Sequence, residues 1–77
     1  MSLSSIDTLI KMINQIALNN GAYEDGEAID RVATHIQRFW AKKMRADLIE
    51  YLQNDGEKLN PVAKAAAEKV MASQAAA

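Results

Sequence analysis

Apolar side chains recur along this chain at the three- and four-residue spacing of helices, and nowhere in the alternation of a half-buried strand. Ile6, Leu9, Ile10, Ile13, Ile16 and Ala17 close a stripe on one face of a first segment. Ser4 or Ser5 is placed to cap its first turn, with Asp7 near the positive end. The run NNGAYEDG stops it, because Asn and Gly readily take the left-handed conformation used at helix ends. The spacing predicts a first helix over about 5–20.

A second stripe, Ile29, Val32, Ala33, Ile36, Phe39 and Trp40, predicts a helix over 27–40, and Met44, Leu48, Tyr51 and Leu52 predict a third over 42–54. The two stripes are out of phase. At about 100° per residue, one straight helix would point Met44, Leu48 and Tyr51 well away from the face centred on Ile36. A bend or short turn near Trp40 and Ala41 brings both stripes to one core.

NDGEKLNP ends the third segment, and Asn60 followed by Pro61 marks a new start: a capping amide, then a residue suited to the first helical position. Val62, Ala66 and Val70 form the better face of a fourth helix over 61–73. Its alanines favour helix but offer little to bury, so it is expected to be short and weakly docked. Residues 74–77 should fray. The expected fold class is all-α: a small four-helix bundle, with 1–77 as a single domain.

A chain of 77 residues buries only roughly 60% of the surface it exposes when unfolded. The ordering cost nearly cancels what so small a core returns. With no cysteine, neither a disulfide nor a thiolate metal site can supplement it. Association with a partner is the remaining route. The net charge of −1 argues against a general polyanion binder, yet the charge is uneven. Glu24, Asp25, Glu27 and Asp30 precede Arg31, Arg38, Lys42, Lys43 and Arg45. No apolar run approaches the ~20 residues of a membrane span, and MSLSSIDTL has no secretory pattern. A cytoplasmic location is expected.

Candidate chemistry is sparse. His35 is the only histidine, at the margin of its stripe, where a boundary role outweighs a catalytic one. The acidic residues 24, 25 and 27 lack the alternation of a calcium loop. No nucleophile has a visible base and orienting partner. No catalytic residue, metal ligand or cofactor site is therefore assigned. Arg31, Arg38, Lys42 and Arg45 could line a helix–turn–helix reader, but the slightly acidic chain disfavours nucleic acid.

The informative stretch is RFWAKKMR, residues 38–45. Its adjacent aromatics diverge by about 100°, so one ring is expected in the core and the other at a partner surface. Arginine beside such an aromatic is typical of interface anchors. Arg38, Phe39, Trp40, Lys42, Lys43 and Arg45 are the partner-binding candidates, with Asn14 and Gln15 as a second strip.

The pieces LIKMINQIA, VATHIQRFWAKKMRADLIEYL and LNPVAKAA together resemble the delta subunit of NAD-dependent, molybdenum-containing formate dehydrogenase, over about Leu9 to Val70. That family typically reads F-W-D-P-R-M-R at the junction. Here Ala41 replaces the aspartate and Lys42 the proline, removing an N-cap and a helix-starting residue. The bend must then be enforced by packing of Phe39, Trp40 and Met44, or the two helices fuse in the isolated chain. The resemblance implies a non-catalytic accessory subunit without a cofactor of its own, whose partner is the large catalytic subunit of the dehydrogenase. Its implied role is assembly, stability or cofactor loading of that molybdoenzyme. A stand-alone homo-oligomeric helical module is the alternative class.

Overall fold

The computed structural model describes residues 5–76, folded as α1 (Ser5–Asn19), α2 (Asp25–Phe39), α3 (Lys42–Asn54) and α4 (Pro61–Ala76). The expected cap at Ser4 lies outside the described residues, as does Ala77 at the end of the expected frayed tail. The four stripes meet in one apolar cluster. Ile13, Val32, Ile36, Leu48 and Val70 are its fully enclosed large side chains, one or two from each helix. Full burial of each such side chain is worth about 1.5–3 kcal/mol. Ile6, Ile16, Ile29, Met44 and Leu52 pack half-buried around them.

α2 starts at Asp25, two residues before the expected position, and Ala28 N–H donates to the Glu24 carbonyl at 2.8 Å. Asp25 and Glu27 sit in this first turn, where the helix dipole favours negative charge. α1 does not end in a left-handed residue as expected. Instead Asn20 and Gly21 N–H donate to the Ala17 and Leu18 carbonyls, tightening the last turn, and Asn20 Nδ2 donates to the Ile16 carbonyl at 2.9 Å. Among the described residues, positive φ occurs only at Gly56, at +71°.

α4 departs from expectation in length. It runs 16 residues to Ala76 and is not short, because nothing in its alanine-rich second half interrupts helix. It touches the other three helices, α2 most broadly. Ala63, Ala66, Ala67 and Val70 are all fully buried. Docking is thus real from Ala63 to Val70, while residues 72–74 are exposed, and each contact is made by a small side chain that removes modest area from water.

The α3–α4 connection is strapped down. Asn14 on α1 donates through Nδ2 to the Lys58 carbonyl at 2.9 Å and accepts from Asn60 N–H at 2.9 Å. The Tyr51 hydroxyl accepts from Lys58 N–H at 2.9 Å. Asn60 caps α4 as its sequence context predicted, its Oδ1 accepting from Ala63 N–H at 2.8 Å.

Candidate protein-docking surface

The α2–α3 bend positions the candidate residues. Trp40 leaves the helix with φ −86° and ψ 139°, and Ala41 follows at −65° and 156°, so two extended residues separate the helices. They do not fuse. Ala41 has the backbone of an N-cap but no side-chain acceptor for the first turn of α3. Two other features hold the turn. Trp40 packs into the core at 5% exposure. Arg45 Nη1 donates back across the bend to the Gln37 and Trp40 carbonyls, at 3.2 and 3.1 Å. It thus satisfies acceptors that the end of α2 would otherwise leave open. Its Nε is enclosed without a protein partner.

Phe39 takes no part in enforcing the bend, contrary to the expectation that it would share that task with Trp40 and Met44. It points outward at 69% exposure. Its ring centroid lies 4.9 Å from that of His35 at an interplanar angle of 43°, and 5.8 Å from the Arg38 guanidinium carbon. One helical turn earlier, Arg31 bonds Glu27 at 3.3 Å and lies 3.9 Å over the Tyr23 ring. Positions 23, 27, 31, 35 and 39 therefore form one ridge, each four residues from the next. A shallow depression along it is lined by Arg31, His35, Arg38 and Phe39, with Glu27 and Asp30 at its acidic end.

The candidate residues fall into two groups. Arg38, Phe39, Lys42 and Lys43 are exposed around the end of α2 and the start of α3. Trp40 and Arg45 lie beneath, building the turn that presents them. Lys43 pairs with Asp47 at 3.2 Å within α3, an exposed contact of small net worth. Asn14 is engaged inward by the α3–α4 connection, and Gln15 bonds Asn19 at 3.1 Å on the surface. The second strip is thus split between an internal brace and a solvent-facing amide. Sequence reasoning missed the part played by Tyr23, Glu27, Arg31 and His35. The four-residue repeat of long side chains on the polar face of α2 was the available signal.

What this surface offers is guanidinium and ammonium donors around an uncovered ring, a combination suited to carboxylates next to apolar groups. Among the described residues no three metal-ligating side chains gather, and no helix is long and apolar enough to cross a membrane.

These features define a class: a small all-α four-helix bundle with an exposed aromatic and basic ridge along α2. A family model described as NADH-dependent formate dehydrogenase delta subunit FdsD matches residues 8–67. The chain belongs to that family. The match takes in most of α1, all of α2 and α3, and the first part of α4. No curated protein and no solved structure matches the chain.

Proposed function

We propose that this chain is a non-catalytic accessory subunit that binds the large catalytic subunit of a formate dehydrogenase and supports its assembly, stability or cofactor loading. The observation that carries the reading is Phe39, a large apolar side chain held outward among basic residues in a member of the delta-subunit family. Leaving such a ring in water forgoes burial worth about 1.5–3 kcal/mol, which a partner surface recovers. The absence of cysteine leaves the chain no thiolate for an iron–sulfur cluster. This agrees with a helper and not with a carrier of electrons through such a cluster. A cytoplasmic location goes with this reading.

The mechanism is selective binding. A helper that binds only the folded, cofactor-ready form of its partner stabilises that form by mass action, by about 2.7 kcal/mol at one hundred times the dissociation constant. Arg38, Phe39, Lys42 and Lys43 form the contact, and Trp40 and Arg45 fix its shape. The test is co-expression of the tagged chain with the dehydrogenase subunits, followed by affinity capture and measurement of molybdenum in the eluate. The catalytic subunit should co-elute, and its molybdenum content should fall when the chain is omitted. A fully loaded, equally stable enzyme that never associates with the chain would show the reading to be wrong.

A further inference from the structure

The cations near α2 differ in how they are balanced. Arg31 bonds Glu27, Lys43 bonds Asp47 and Lys69 bonds Asp30 at 2.8 Å. Arg45 is committed to main-chain carbonyls. Arg38 and Lys42, on either side of Phe39, have no carboxylate within ion-pair distance among the described residues. The unengaged acids Glu24 and Asp25 lie at the opposite end of the helix. Thirteen residues of α-helix span about 20 Å, more than twice the ~8 Å screening length of physiological salt. Those acids do not neutralise the junction.

We propose that the ridge seats an acidic segment of the partner polypeptide, with an apolar side chain packed on the Phe39 and His35 rings and carboxylates paired to Arg38 and Lys42. This rests on the reading that the chain binds the dehydrogenase. It adds the chemistry of what is bound. Two observations select a carboxylate-bearing polypeptide over a phosphate backbone. Among the described residues of the α2–α3 junction only Arg38 and Lys42 lack a partner, too few for the many-phosphate contact that drives nucleic-acid affinity. The ring they flank is largely exposed, with the tilted His35 ring against one side of it, so the matching group is an apolar side chain. Arg38 supplies the planar fork that pairs with a carboxylate through two bonds. Lys42 supplies a point charge at the start of α3, across the bend.

The test titrates purified catalytic subunit onto the immobilised full-length chain over a series of salt concentrations. The variants are Phe39→Ala, the double reversal Arg38→Glu with Lys42→Glu, and Lys11→Glu as a control on α1. Circular dichroism and Trp40 emission check that each variant is folded. Phe39→Ala and the double reversal should each weaken binding about 10-fold or more, and the reversal should also flatten the salt dependence. Lys11→Glu should change it less than about 3-fold. If Phe39→Ala weakens binding but the folded double reversal does not, the acidic partner is wrong and the accessory-subunit reading stands. Wild-type affinity in both variants overturns this ridge as the interface. A wild-type chain that fails to bind the subunit at all overturns the functional reading itself. Displacement of the bound subunit by a DNA duplex, with Phe39→Ala neutral, makes the occupant a phosphate and overturns the proposal.

Discussion

Phe39 and Trp40 are neighbours in the chain with opposite fates: the first is 69% exposed and the second 5%. The α2 helix ends between them, and the extended backbone at Trp40 turns its indole under the bundle while the preceding ring stays on the surface. Their substitutions should separate cleanly. Trp40→Ala should cost about 3–5 kcal/mol, the usual range for emptying a large core site. Phe39→Ala should stay within about 0.5 kcal/mol, as for an ordinary surface change. Urea denaturation followed by far-ultraviolet circular dichroism measures both, and equal losses would contradict the assigned burial.

The N-terminus of α3 lacks a capping side chain although Ala41 already has capping dihedrals. Ala41→Asp should therefore stabilise the fold by about 0.5–2 kcal/mol. Lys42→Pro should be tolerated, since the first helical position needs no N–H partner and the ψ of 156° at Ala41 suits a residue before proline. For a domain of this size, 1 kcal/mol raises Tm by about 4–8 °C. A thermal melt in which the double variant is less stable than wild type would mean the bend is not shaped as described.

Arg45 closes the end of α2 with one nitrogen shared between two carbonyls. Arg45→Ala should lose about 1–3 kcal/mol, the range for a charge-assisted bond whose acceptors are left open. Arg45→Met should lose less, because it keeps the aliphatic packing and removes the enclosed, unpartnered Nε. Chemical denaturation of the pair decides this, and an unchanged midpoint in Arg45→Ala would leave Trp40 as the sole determinant of the turn.

Asn14 and Asn60 join α1 to the start of α4 through the amide at Asn60 and a weaker 3.4 Å contact from Asn60 Nδ2 to the Asn14 carbonyl. Asn14→Ala should cost about 1–3 kcal/mol by stranding half-buried polar groups. In a double-mutant cycle with Asn60→Ala, the two losses should fall short of additivity by about 0.5–3 kcal/mol. Strict additivity would mean the strap is not a unit.

Gly56 holds φ +71° within the α3–α4 connection, and a Cβ there would sit 3.4 Å from the Leu52 carbonyl oxygen, an ordinary contact. The cost of Gly56→Ala is therefore conformational, about 1–2 kcal/mol for an L-residue in left-handed backbone. Gly26→Ala is the control. It lies in α2 with open space around it and should be neutral or stabilising by up to about 1 kcal/mol. Comparison of the two melting curves checks the assignment.

By itself, the order of residues determined the four helices, because apolar spacing and caps act within a few residues. The Asn60–Pro61 start and the out-of-phase stripes on either side of Trp40 were readable this way. The resemblance carried by KMINQIA and FWAKKMR led to the same family that the match over residues 8–67 establishes. Tertiary structure alone decided which ring of RFWAKKMR faces in, since a phase argument near a bend depends on where the helix stops. It also decided that Arg45 and Asn14 work inside the molecule. Their acceptors and donors lie on other elements, Asn14 meeting a loop 44 residues away, and no local pattern encodes a contact that exists only once the helices have packed.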